Sequence, residues 1–314
     1  MSTSEAALVE TPAYLSVGDD EVFAVVTHPS GPANGVGIVL AMGGIYKFSI
    51  QRNRFQTRLA RRLATHGYLV VSYDVHGTGE STGRVDRYAL DEPFFEESDA
   101  AVRLLEAHGI RDVVLAGSCA GGRACMKTAA RLERVLGVAL LSVPVVDYDT
   151  TMRVVKQAER LPASKLVKRA SSRHVLSGVF NRERRARYLR ALSIRIMGFV
   201  KRRKKDWGVS KNYVEPLERL LERRTPVLMA FGKEPMFGDF QTAKAGYLGT
   251  LLSDARDRIE LRVYKEHLHG FNTLSIQEEA AMLVEEWVTR IAPGKPVIDH
   301  DAVLRPTDGL TVHS

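Results

Sequence analysis

The segment RDVVLAGSCAGGRACMKTAA, residues 111 to 130, sets two nucleophilic side chains, Ser118 and Cys119, side by side. An apolar run precedes them and a helix-forming stretch follows. Gly117-Ser118-Cys119-Ala120-Gly121 fits glycine-x-nucleophile-x-glycine with Cys119 at its centre. Centring on Ser118 instead puts Ala116 and Ala120 at the glycine positions. A strand that turns abruptly into a helix strains its central residue and crowds the flanking backbone, so the flanks must be small. A thiol held there meets the positive end of the helix dipole. Its pKa can drop from about 8.5 into the range of roughly 3.5 to 7.5, which makes it thiolate near neutral pH. Ser118 is expected to point elsewhere and hold the turn, and it is the fallback nucleophile. A cysteine can also serve such a turn only as a small space-filling residue, and the pentapeptide leaves that open.

A cysteine nucleophile needs an imidazole as base and a carboxylate to orient that imidazole. Two histidines lie late in the chain, His267 and His269 in KEHLHGFNT. The candidate carboxylates, each just after a strand-like run, are Asp147 and Asp149 in VPVVDYDTT, and Glu234 and Asp239 in GKEPMFGDF. Each of these carboxylates could equally be a solvated loop residue. Asp74 is read as a structural residue that ties the loop after its strand.

The elements that must position these groups alternate. Strand-like runs are EVFAVVTHP, VGIVLAMGG, GYLVVSYD, RDVVLAG, LGVALLSVP, TPVLMAFG and RIELRVYK. Between them lie helical patterns, such as residues 50 to 66 with Phe55, Leu59 and Leu63 four apart. Further helices are expected over 95–108, 119–133, 240–252 and 276–291. Continuous apolar strands interleaved with amphipathic helices predict an α/β fold, its mostly parallel sheet covered on both faces. In such sheets, reactive groups collect beyond the carboxyl ends of the strands.

Taken together, these segments resemble the α/β-hydrolase superfamily over roughly residues 20 to 292. LAMGGIYKF is similar to the family's strand-then-glycine loop, with Met42 where histidine is common. YDVHGTGES is similar to its D-x-R-G-x-G-x-S segment, with His76 where arginine is usual. HGF stands before the last helix, where the family carries its histidine. The nearest likeness is to the exosortase A system-associated hydrolases. Dienelactone hydrolases and polyhydroxyalkanoate synthases also use a cysteine-centred elbow. The resemblance implies a triad of Cys119, His269 and Glu234, with His267, Asp239 and Asp147 as fallbacks. It implies an oxyanion hole from the backbone of Ala120 and of Gly44 or Ile45. The implied reaction is ester or thioester hydrolysis through an acyl-cysteine, with acyl transfer from the same intermediate as the rival. A catalytically silent fold used as a basic binding module is the second rival. No cofactor and no metal is expected.

Charge gives the chain a second feature. Its 314 residues, 45% hydrophobic and 26% charged, carry a formal net charge of +8. Residues 151 to 215 hold nineteen Lys or Arg and four Asp or Glu, so the remainder is acidic. The expected organisation is an N-terminal extension over 1–19, a core from 20–149 and 223–292, a basic helical cap over 150–222 and a tail over 293–314. Arginines mixed with Leu, Ile, Met and Phe in RERRARYLRALSIRIMGFVKRRKK make an amphipathic basic pattern. That suits a solvated cap, or docking of an acidic carrier protein, coenzyme A or an anionic membrane surface. Nucleic acid is not expected, because aromatics are sparse in the block and no module is recognisable. Two cysteines, Cys119 and Cys125, make no disulfide framework. With no visible signal segment and no apolar run near the ~20 residues of a membrane span, a small-molecule acyl substrate in the cytoplasm is expected.

Overall fold

A computed structural model describes residues 8–43, 51–84, 90, 94–147, 209–233 and 247–294. The chain divides into two units, Met1–Asp147 with Val209–Ser314, and Tyr148–Gly208. The second unit lies outside the described residues.

The first unit is built on one eight-stranded sheet. Its strands are β1 (Glu10–Val17), β2 (Asp20–Thr27), β3 (Val36–Met42), β4 (Leu69–Tyr73), β5 (Asp112–Ser118), β6 (Val135–Leu141), β7 (Val227–Phe231) and β8 (Ile259–Val263). Their spatial order is β1-β2-β4-β3-β5-β6-β7-β8. The first two pairings are antiparallel and the rest are parallel. The central strands bury both faces, which is why they read as unbroken apolar runs. In β3, Ile38 and Leu40 face one core while Val39 and Ala41 face the other.

The helices follow from the apolar spacing. They are α1 (Phe55–Thr65), α2 (Glu96–Ala107), α3 (Cys119–Ala129), α4 (Lys211–Glu222), α5 (Tyr247–Asp254) and α6 (Leu274–Ile291). In α1, Phe55, Leu59 and Leu63 are fully buried. Its outer face carries Arg61 and Arg62, which pair with Glu10 of β1 and with Glu278 and Glu285 of α6. Helix α6 starts at Thr273, whose Oγ1 accepts the Ile276 N–H at 3.3 Å. It seats Trp287 over β6, where Gly137 leaves the space: a Cβ there would lie 2.7 Å from the Trp287 ring and 2.3 Å from Ile291.

Several boundaries differ from the sequence reading. Residues 10–17, expected in an N-terminal extension, form edge strand β1. Only Leu15 of that strand is deeply buried, and Pro12 within it is a poor strand former, so its sequence signal is weak. Helix α3 ends at Ala129, earlier than 133. Helix α4, expected in the cap, belongs to the first unit, because Tyr213, Leu217, Leu220 and Leu221 bury into the sheet's core. Most of the predicted tail lies outside the described residues.

Candidate active site

The carboxyl ends of β3, β5, β6 and β7 converge on one edge. Ser118 at the end of β5 is level with Met42 of β3 and Leu141 of β6, and Leu141 with Ala230 of β7. The chain leaves β3 for β4 on one side, and places β5 on the other. Cys119 therefore stands at the switch point of the sheet, where such folds bind ligands.

The turn is as tight as the sequence demands. Cys119 has φ of 51°, in the left-handed region that non-glycine residues rarely enter. Ser118 before it is extended, and α3 begins at Cys119 itself. A Cβ on Gly117 would lie 2.6 Å from the backbone of Gly122, and one on Gly121 would lie 1.9 Å from the Ala41 carbonyl oxygen. A Cβ on Gly122 would meet Val143 at 2.1 Å. Three glycines, not two, are thus required. Gly122 was not singled out in the sequence, although its GG pairing with Gly121 was visible.

Hydrogen bonds stitch the turn to the loop after β3. The Gly43 N–H is 3.1 Å from Ser118 Oγ and 3.4 Å from the Ser118 carbonyl. The Gly121 N–H donates back to the Gly43 carbonyl at 3.3 Å. Ser118 is 3% exposed and Cys119 is 9% exposed. Ala120 lies in the first turn of α3, whose N–H groups have no intrahelical acceptor. Gly44 and Ile45, expected to complete the oxyanion hole, lie outside the described residues. The other cysteine, Cys125, is fully buried one and a half turns along α3, and burial pushes its thiol up to about 12.

His269 lies in the turn that follows β8. Leu268 and Phe271 on either side of it are buried, and Phe271 stacks on Phe55 with ring centres 4.4 Å apart. The Phe271 carbonyl accepts from Gln277 Nε2 at 2.7 Å. Phe55 opens α1 just beyond the β3 loop, so this turn is fastened to the same edge of the sheet as Cys119. His269 is half-buried and His267 is exposed. The carboxylates divide. Asp147 is present after β6, with Oδ1 3.4 Å from Arg123 Nη2. Glu234 and Asp239 lie outside the described residues.

Two arrangements were not foreseen. Arg123, one turn along α3 from Cys119, is 1% exposed. Its Nε donates to the Pro144 carbonyl at 2.8 Å, Nη1 lies 3.3 Å from Ser210 Oγ, and the guanidinium stands over the Tyr213 ring at 5.0 Å. The sequence signal was a lone arginine among the small residues of AGGRACM. His76, in the position where arginine is usual, has Nδ1 2.5 Å from Oε1 of the buried Glu97. The neighbouring Asp74 is buried, and its carboxylate fills the notch that Gly79 leaves: a Cβ on Gly79 would lie 1.8 Å from Asp74 Oδ2. Ser81 Oγ donates to the Asp74 carbonyl at 3.0 Å. Among the described residues no cluster of His, Cys, Asp or Glu could hold a metal ion, and no helix is long and apolar enough to cross a membrane.

Strand order, the strand–turn–helix at Cys119 and the late histidine turn define an α/β hydrolase. The chain belongs to the Hydrolase_4 family, described as serine aminopeptidase S33, whose pattern matches residues 48–271. Solved structures agree on the fold. An esterase from Pyrococcus furiosus has 13% identity and a TM-score of 0.57, over 90% of this chain and 91% of that one. An αβ serine hydrolase homologue from Coxiella burnetii has 16% identity and a TM-score of 0.55, over 88% and 97%. A carboxyl esterase from Bacillus coagulans has 15% identity and a TM-score of 0.54, over 91% and 99%. No curated protein matches the chain in sequence. The protein is a hydrolase of this family.

Proposed function

We propose that the protein is an acyl hydrolase that works through Cys119, cleaving esters or thioesters by way of an acyl-cysteine. The observation that carries this reading is the left-handed φ of Cys119 at the end of β5, flanked by glycines that tolerate no side chain. Strain of this kind persists where the surrounding structure enforces it, and it marks functional turns. The family description names a serine enzyme. Here the only serine at the turn, Ser118, sits one residue early with its hydroxyl accepting the Gly43 N–H. The titles of similar structures name esterases, which favours an acyl substrate. The likeness to exosortase A system-associated hydrolases also fits a cysteine at this position.

In the proposed reaction the Cys119 thiolate attacks the acyl carbonyl. The Ala120 N–H, joined by one from Gly44 or Ile45, receives the oxyanion, each donor contributing about 3 kcal/mol. The leaving group takes a proton from His269, which Glu234 orients. Water activated by His269 then releases the acid.

The test is intact-mass analysis after incubation with acyl thioesters and p-nitrophenyl acyl esters. Wild type is expected to gain one acyl mass on the peptide containing Cys119. Cys119→Ala is expected to lose adduct and turnover, by at least about 10³-fold. Ser118→Ala is expected to keep the adduct. Loss of turnover in Ser118→Ala with full activity in Cys119→Ala would overturn the assignment. Release of the acyl group only to an added alcohol or amine would make the protein a transferase.

A further inference from the structure

The sheet ends differently on its two sides. Edge strand β1 carries Pro12, which cannot donate to a neighbouring strand. Edge strand β8 carries neither proline nor glycine, and among the described residues nothing pairs with its outer side. Its peptide groups can be assigned a direction. Tyr264 N–H donates to Phe231 at 2.8 Å, and the Arg258 and Glu266 carbonyls accept from Val227 and Lys233. Even-numbered residues therefore bond inward to β7, and Ile259, Leu261 and Val263 turn their peptide groups outward. The side chains of Leu261 and Val263 are 39% and 47% exposed, which is unusual in an open hydrogen-bonding edge.

We propose that this edge pairs with a second copy of the same chain, antiparallel about a two-fold axis at Leu261, joining two sheets into one. The argument is charge complementarity along DRIELRVYK, residues 257 to 265. In that register Leu261 meets its own copy, and Ile259 meets Val263 of the second copy. Glu260 meets Arg262 of the second copy, twice per interface, and Asp257 meets Lys265. Arg262 makes no ion pair within its own chain among the described residues, so the second copy supplies what its own chain does not. Glu260 and Asp257 are already flanked by Arg290 and Arg258, so their partners are shared.

Neighbouring registers that keep outward peptide groups facing each other are disfavoured. Centring on Glu260 sets that glutamate against its own copy and Arg258 against Arg262, and centring on Arg262 sets that arginine against its own copy. Like charges directly opposite destabilise a strand pair. Charges usually blunt an exposed edge against association, but here their order is self-complementary. Beside β8, a groove of about 500 Å³ lined by Tyr264, Glu279, Met282 and Glu286 leaves room on the α6 side.

The test is sedimentation equilibrium of the full chain at about 10 µM, a concentration where a dimer of micromolar affinity is populated. Wild type is expected as a dimer. Arg262→Glu is expected to raise the dimer Kd at least about tenfold, by facing Glu260 of the second copy with a like charge. Glu260→Arg combined with Arg262→Glu is expected to recover most of the association. In a Cys119→Ala background, Leu261→Cys is expected to form a disulfide-linked dimer under mild oxidation, since directly opposite residues of such a pair lie about 5.5 Å apart. Lys265→Cys is expected to form none. A wild-type monomer, including one whose edge its own residues 295–314 cover, overturns the proposal. A dimer indifferent to Arg262→Glu and unlinked through Leu261→Cys overturns it equally.

Discussion

The two cysteines of this chain sit in very different places, Cys119 at the strained start of α3 and Cys125 deep inside that helix. Cys125 is fully buried with its thiol pushed up to about 12, so it stays protonated at any working pH. Iodoacetamide at pH 8 is therefore expected to label one thiol per folded chain, at Cys119, and both after unfolding; Cys119→Ala should lose all labelling until unfolded, as peptide mass mapping would show. The strain at Cys119 has its own signature. With φ of 51°, any residue with a Cβ bears a cost there that glycine does not. Cys119→Gly is expected to be more stable than Cys119→Ala by about 1 kcal/mol in urea unfolding. Arg123 makes the opposite case, a charge held entirely indoors. Its removal would strand the Pro144 carbonyl and Ser210 hydroxyl, and Arg123→Leu is expected to lower stability by about 3 kcal/mol.

At the scale of elements, the histidine turn depends on two aromatic rings rather than on its own sequence. Phe271 stacked on Phe55 holds the segment against α1. Phe271→Ala is expected to cost about 3 kcal/mol and to reduce kcat more than it raises KM, because the imidazole loses its seat while the substrate's binding surface stays. Much of this layout could be read from residues alone. All seven strand-like runs became strands: the central parallel ones leave unbroken apolar stretches, while β2 and β8 were legible through their β-branched residues. The elbow was legible because its glycines are fixed by clearance, which leaves no freedom in residue type. Strand β1 was missed because an edge strand needs few buried side chains. Helix α4 was assigned to the cap because its lysine, arginine and glutamate face continues the charged run, while the buried face that ties it to the sheet shows only in three dimensions. The seat of Arg123 depends on residues 87 and 90 positions away, and no local pattern could foretell it.

For the whole molecule, acidity is expected to act through His28. Burial, and then the neighbouring His108, hold its pKa below the ordinary value of 6.5. The folded state thus takes up a proton at His28 less readily than the unfolded chain, which binds one as pH falls below about 6.5. Stability from this group is complete above that pH and declines below it. Denaturation midpoints measured from pH 7.5 to 5.0 should fall, and His28→Asn should flatten the slope. A second loss should follow at lower pH, where Glu10, held below its usual 4.5 by Arg61, takes up its proton.

The exit and re-entry of residues 148–208 have a consequence for how this molecule can change over time. The Ser210 N–H donates to the Val145 carbonyl at 2.8 Å, and Arg123 reaches both Asp147 and Ser210. The two stumps are tied to each other by bonds among the described residues alone. Such a junction works as a socket: the segment 148–208 is expected to tolerate loss, lengthening or exchange for an unrelated one while the eight-stranded sheet keeps its shape. A chain joined across the gap by a short glycine-serine bridge should still show a cooperative thermal transition.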